Sequence, residues 1–575
     1  MKITERIENL RQLMKARDMA AYIIPSSDAH LSEYISDHYK SREWISGFTG
    51  SAGTVVITLT DAGLWTDGRY YIQAENQIRN TGIQLFRMMD PGVPSYAEWL
   101  SSVLDDGDCV GFDGNVFSVE MVRSLEKVLT KKRIPYNMDH DLIGELWTER
   151  PELPSSPVFV HELQYAGKSR LEKINEVRSE MKKLGANYFL LTSLDDIAWL
   201  LNIRGADIPN NPVAISNVIV HSTGSILFID PEKVSSEVKA QLDKDNIQCL
   251  GYYETIDFLR KLTKEDTVLL DPEMTNAILY DAIYCTEASK VESKNVTSRL
   301  KAIKNSVEIQ NLKQCQEHDG VAMVRFIKWL KTSLGKERIT EISLAEKLED
   351  FRKQNELFVE PSFDTIAGYQ EHGAMMHYKA TEDTDYALEN KGFLLVDSGG
   401  QYYNGTTDIT RTIVLGELTD QEKRDFTLVL KGHISLSMAK FLHGTTGQSI
   451  DILARQPLWK YGLDYKCGTG HGVGFFLNVH EGPQRISQTP NTVALEEGMN
   501  ITNEPGIYRQ DQYGIRTENM MLVVSDGTTD CGQFMKFETI TYCPIDLEGI
   551  DRDLLTNDEI RWLNAYHKEV YEKLS

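Results

Sequence analysis

The sequence predicts an α/β (α+β) protein of three domains: two related α/β units, then a larger mixed domain that carries the chemistry. Three observations predict it. The chain has 575 residues, a length that at roughly 150 residues per domain suggests three to four domains. Trp147-Thr-Glu-Arg-Pro151-Glu-Leu-Pro154-Ser-Ser-Pro157 places three prolines in seven positions, which predicts an extended connector, because proline restricts its own φ and the residue before it. The segments on either side of that connector resemble each other. The boundaries expected from these signals are 1–153, 154–304 and 305–575, the second resting on the lysine- and serine-rich stretch Ser289–Asn305.

The repeat runs without a gap. Glu5, Ile7, Arg11 and Met14 match Glu172, Ile174, Arg178 and Met181 at a constant offset of 167. The same offset carries Ile23-Ile24 onto Leu190-Leu191, Ser26 onto Ser193 and Asp28 onto Asp195. In both copies an amphipathic helix signal precedes a short apolar strand signal and a turn. Further strand signals follow at Gly53–Thr58, Gly63–Trp65 and Ser225–Ile229, so each copy is expected to form an α/β layer. Neither copy gathers a catalytic group.

Composition excludes several classes. With 41% apolar and 25% charged residues the chain is an ordinary globular protein. Its formal net charge of −24 opposes a nucleic-acid backbone, so no nucleic-acid partner is expected. The first residues, Met-Lys-Ile-Thr-Glu-Arg-Ile-Glu, put charge where a signal peptide needs an apolar run, and no window reaches the ~20 apolar residues of a membrane helix. The seven cysteines are odd in number, scattered and without a Cys-x-x-Cys pair, which suggests reduced thiols. A cytoplasmic protein without a membrane partner is the expectation.

The third domain differs in kind. Phe393-Leu-Leu-Val-Asp397-Ser-Gly-Gly reads as a buried strand ending in an acid, and Gly405-Thr-Thr-Asp408-Ile-Thr-Arg starts a second strand at another. Gly468-Thr-Gly-His471-Gly-Val-Gly474 surrounds a histidine with residues that permit close backbone approach. Asn503-Glu504-Pro-Gly and Gly514-Ile-Arg-Thr-Glu518 supply two more acids, one before a turn and one entering an apolar strand. Singly, each is as ordinary as a strand-end cap. Together, four carboxylates near core depth need compensating charge, and two divalent cations supply it. Oxygen-rich ligation with one imidazole suits Mn²⁺, Co²⁺, Fe²⁺ or Zn²⁺.

In that order and in those strings, Asp397, Asp408, His471, Glu504 and Glu518 resemble the five metal ligands of the pita-bread (creatinase/methionine aminopeptidase) superfamily. Within it the chain resembles the long, three-domain X-prolyl aminopeptidases. His471-Gly-Val-Gly, Val-His480-Glu-Gly-Pro and Asn-Glu504-Pro-Gly carry the resemblance, with Asp553–His567 similar to the family's carboxyl-terminal extension. One departure is Thr502-Asn503, where family members often have Ser-Asp. The resemblance implies two creatinase-like domains before a pita-bread catalytic domain. It implies two divalent metal ions, Mn²⁺ foremost with Co²⁺ or Zn²⁺ as alternatives: Asp397 on one, His471 and Glu504 on the other, Asp408 and Glu518 bridging. It further implies an Xaa-Pro aminopeptidase, a metallo-exopeptidase that hydrolyses the bond before a penultimate proline through a bridging hydroxide. Glu504 would be the proton shuttle, and His377 and His480 would face substrate. Arg516 is read as a structural group orienting Glu518, and His372 as structural.

The expected partners are peptides with proline at position 2 and a second copy of the chain, as a homodimer through the catalytic domain. The apolar stripe Ile560, Leu563, Val570 and Leu574 is a candidate contact for that dimer. The competing readings are a prolidase (X-Pro dipeptidase) and a catalytically inactive pita-bread binding module, the latter opposed by all five ligand positions being filled.

Overall fold

In the computed structural model, which describes residues 1–575, the helices Ile3–Ala16 and Arg170–Lys183 are related by the offset the sequence repeat requires. Each forms because its apolar residues recur at helical spacing: Ile7, Leu10 and Met14 are buried in the first, Ile174, Val177 and Met181 in the second. Each leads into the central strand of a six-stranded sheet, Ala21–Pro25 and Tyr188–Leu191.

The two sheets share one topology. Numbered along the chain within each copy, the strands lie in the order 4-3-2-1-5-6. In both, strands 1, 2 and 3 pair antiparallel, and 3 with 4, 1 with 5 and 5 with 6 pair parallel. Both sheets belong to one compact unit, comprising Met1–Val160, Ser169–Pro209 and Val213–Thr297. Residues 151–158, within the proline-rich connector, carry no regular structure. The stretch Ser289–Asn305 contains the change from the first compact unit to the second, between Thr297 and Ser298, and it is structured. Ser289–Glu292 is the edge strand of the second sheet, paired parallel with Thr267–Leu270, and Val296–Ala302 is a helix.

The second unit comprises His161–Lys168, Asn210–Pro212 and Ser298–Ser575. Its long helices are Ser306–Ser333, Glu341–Arg352, Asp420–Ser437, Gly447–Trp459 and Asn557–Leu574. Capping boxes at Asn305/Glu308, Thr419/Glu422 and Thr556/Glu559 satisfy the first amides of three of them. Small antiparallel sheets run between them: Ile366–Tyr369, Phe393–Ser398 and Ile409–Val414 form one, and Lys440–Leu442, Gly532–Thr539, Asn519–Thr529 and Asn500–Asn503 another. The stripe on Asn557–Leu574 is used within the unit, where Leu563 and Val570 pack with Phe426, Val429 and Leu430. It is therefore not an exposed dimer surface. The seven cysteines form no disulfide, and no helix is long and apolar enough to cross a membrane.

Candidate metal centre

Asp397 lies on the buried strand Phe393–Ser398, directly opposite Thr410 of the neighbouring strand. Asp408 precedes that neighbour by one residue, so two acids reach the same end of one sheet. His471 comes from the short strand Gly470–Gly472, whose glycines allow the approach of strand Asn500–Asn503: a Cβ at Gly470 would stand 2.0 Å from the Thr502 carbonyl oxygen. Glu504 follows that strand, and Glu518 precedes the strand Asn519–Thr529 paired with it.

One carboxylate oxygen each of Asp408 and Glu518 and a ring nitrogen of His471 lie within 4.8 Å of one another. His471 Nε2 is 3.5 Å from Asp408 and 3.3 Å from Glu504 Oε1. Its Nδ1 lies 2.8 Å from the Gly472 carbonyl, which can only accept, so Nδ1 carries the proton and Nε2 presents a lone pair to the acids. Thr410 donates to Glu518 Oε2 at 2.7 Å, and Thr502 donates to Glu504 Oε1 at 3.2 Å. The structure thus brings all five expected ligand residues together.

Arg516 is 2% exposed. It pairs with Asp397 Oδ2, donates through Nε to Thr410 Oγ1 at 3.0 Å and through Nη1 to the Tyr508 hydroxyl at 2.8 Å. Its ion-pair partner is therefore Asp397, while its hydrogen-bond route to Glu518 runs through Thr410. His480 stands edge-on to His471, ring centroids 4.4 Å apart. His377 lies on the loop after Gln370–Ala374, where the preceding carbonyl, that of Met376, is 3.5 Å from Arg516 Nη2. His372 is held elsewhere: its Nδ1 contacts the buried Glu341 at 2.9 Å and its ring stacks on Tyr378 and Tyr386.

The electrostatics fit cations. Burial pushes the carboxyls of Asp397, Asp408 and Glu518 above the usual range, and neighbouring carboxylates push the same way. Burial is the largest influence on Glu504 and raises it, but His471, Arg516 and His480 around it together outweigh burial and hold that carboxyl low. Asp397 Oδ1 is buried without a hydrogen-bond partner in the protein, an acceptor aimed at nothing the chain supplies. A donor set of four acids and one properly tautomerised imidazole, with an orphaned oxygen among them, is what divalent cations require. Sequence reasoning did not single out Thr410 or Tyr508. The available signal was polar residues on strands otherwise buried on both faces.

Comparison with known proteins agrees. Residues 310–525 match the model for metallopeptidase family M24, 533–575 the C-terminal region of peptidase_M24, and 6–140 and 149–308 two models of the creatinase/prolidase N-terminal domain. The chain is 42% identical to Xaa-Pro aminopeptidase 1 of Dictyostelium discoideum over 100% of this chain and 93% of that protein. Its structure superposes on X-prolyl aminopeptidase of Caenorhabditis elegans, described as a cytosolic enzyme with a di-nuclear active site, with TM-score 0.95 and 36% identity, covering 100% of this chain and 96% of that one. An Xaa-Pro dipeptidase from Bacillus anthracis, 24% identical with TM-score 0.53, shares the fold over 66% of this chain and 99% of its own.

Proposed function

The chain belongs to the Xaa-Pro aminopeptidases of metallopeptidase family M24, and from that premise we propose that it removes the first residue of peptides whose second residue is proline. The observation that carries this reading is the convergence of Asp408, His471 and Glu518 donor atoms within 4.8 Å, with Asp397 and Glu504 beside them.

In this reading Asp397 would hold one divalent cation and His471 and Glu504 the other, with Asp408 and Glu518 as ligands that would serve both. Mn²⁺ is the proposed native ion. When bound, two divalent cations would offset the four carboxylates and supply Lewis-acid activation of water at neutral pH. Glu504 accepts the water proton on its carboxylate and delivers it to the departing proline nitrogen. That nitrogen belongs to a tertiary amide with no N–H, so proteases that hold the scissile N–H lose that contact and a site dedicated to X-Pro bonds has a niche. His377 and His480 donate to the carbonyl oxygen as negative charge develops on it. Arg516 pairs with Asp397, and its charge opposes the burial that raises that carboxyl. The three-domain division at 153/154 and 304/305 is part of the proposal, supported by the proline connector and the twofold repeat of sheet topology. So are the homodimer and the cytoplasmic location, the latter supported by the description of the C. elegans relative.

The test is turnover by Mn²⁺-loaded protein. Release of arginine from Arg-Pro-Pro is expected; cleavage of X-Pro dipeptides alone would make the chain a prolidase, and no cleavage at all a binding module. Glu504→Gln should lower kcat by about 10²–10⁴-fold with an unchanged circular dichroism spectrum. Wild-type kcat in that variant would remove Glu504 from its role.

A further inference from the structure

Two of the proposed ligands leave one ladder at its end. Strands Asn500–Asn503 and Asn519–Thr529 pair antiparallel, with Asn503 opposite Asn519 as the last pair. Beyond it the chains part. The Glu504 amide donates to the Thr469 carbonyl at 2.8 Å, and the Glu518 amide to the Thr410 carbonyl at 3.1 Å. The geometry of this fork sets how far apart Glu504 and Glu518 stand.

His433, from helix Asp420–Ser437 and 0% exposed, sits at the fork. Its Nδ1 is 3.1 Å from the Asn503 carbonyl oxygen, and its Nε2 is 3.2 Å from Asn519 Nδ2. The carbonyl can only accept and the amide nitrogen can only donate, so the ring is the neutral tautomer, donating to one strand and accepting from the other. Burial, with Arg411 adding to it, pushes its pKa down to about 3, so this arrangement persists throughout the neutral range. The grip is reciprocal. Asn503 Nδ2 donates to the His433 carbonyl at 2.9 Å and to Ser437 Oγ at 3.0 Å. Asn519 Oδ1 accepts from Arg411 Nη2 at 2.8 Å, while Arg411 Nη1 donates to the Glu518 carbonyl at 2.6 Å. The carboxyl-terminal helix closes the group, with Trp562 edge-on to His433 at 5.9 Å and the Tyr566 hydroxyl 2.9 Å from Arg411.

We propose that His433 is a positioning residue for the metal centre: by holding both strands at the Asn503/Asn519 fork it fixes the separation of Glu504 and Glu518, and with it the affinity for a pair of divalent cations. The inference rests on the metal-site reading above. A purely packing role would be filled as well by an apolar side chain. This position instead spends one donor and one acceptor, each on a residue adjacent to a proposed ligand. Metal-ligand distances tolerate only about ±0.2 Å, so a small change of fork angle is felt at the ligands. Groups that orient ligands typically contribute about 10–100-fold in metal affinity.

The test is titration of the metal-stripped full-length chain with Mn²⁺ against a competing chromophoric chelator. His433→Gln keeps a donor and an acceptor and is expected to stay within a few-fold of wild type. His433→Leu is expected to weaken at least one of two Mn²⁺ sites by about 10–100-fold. Ser437→Ala removes one acceptor for Asn503 at small cost to folding and is expected to weaken binding by a few-fold. Two sites of wild-type affinity in His433→Leu, even with a lowered melting temperature, would overturn the proposal. If that variant does not fold, unchanged affinity in Ser437→Ala overturns it instead. Failure of the wild-type chain to bind two Mn²⁺ would sink the metal-site reading, a different result.

Discussion

Arg516 concentrates the energetics of the site in one side chain. Its guanidinium is buried among Asp397, Thr410 and Tyr508, so three polar groups lose their partner if it is removed. Breaking one side of a buried ion pair costs about 3–5 kcal/mol, because the remaining charge is left without compensation. Arg516→Leu should therefore lower the unfolding free energy of the metal-free protein by about that amount, read from urea denaturation. A loss below about 1 kcal/mol, the value of a surface pair, would mean that Asp397 is not ionised against Arg516 in the metal-free chain. The residues of this scale divide cleanly in how they can be read. Asp397, His471 and Glu504 stand in glycine-flanked strings that draw attention in a linear scan. Arg516 stands in such a string too, but its partner does not: Asp397 lies 119 residues away. Only the fold shows that this arginine serves Asp397 directly and Glu518 through a threonine.

At the scale of elements, the centre is assembled from strands that cross more closely than side chains normally permit. Gly470 is the point of closest approach, its hypothetical Cβ 2.0 Å from the Thr502 carbonyl oxygen. Gly470→Ala must push strand Gly470–Gly472 away from Asn500–Asn503, and with it His471 away from Glu504. The variant should bind Mn²⁺ at least about tenfold more weakly, on the scale of other disturbances to ligand orientation. Wild-type affinity in that variant would show that the crossing is not what positions His471. The same elements mark the limit of sequence reading. The paired helix-and-strand units were legible because apolar periodicity is local and repeats at a fixed offset. The role of His433 was not, since it sits in an ordinary amphipathic helix pattern and its partners Asn503 and Asn519 lie 70 and 86 residues on. The stripe on the last helix misled for a related reason: periodicity gives the apolar face, but not whether its own unit or another copy covers it.

The whole molecule pairs a duplicated α/β unit with a unit that carries the chemistry. The charge of −24 belongs to the surface as a whole, since four of the 85 acids are proposed as ligands. Assembly is testable at this scale. The proposed homodimer should sediment as a single species of twice the chain mass, and a single 65.3 kDa species would exclude it. Because Leu563 and Val570 are already buried within the second unit, a dimer must use another surface of the catalytic domain. The central claim is that five residues drawn from separate strands hold two cations. The most direct measurement is an anomalous difference map from crystals of the Mn²⁺-loaded protein. Two peaks are expected, one beside Asp397 and one beside His471 and Glu504, with Asp408 and Glu518 reaching both. A single peak, no peak, or peaks away from these five residues would contradict the account.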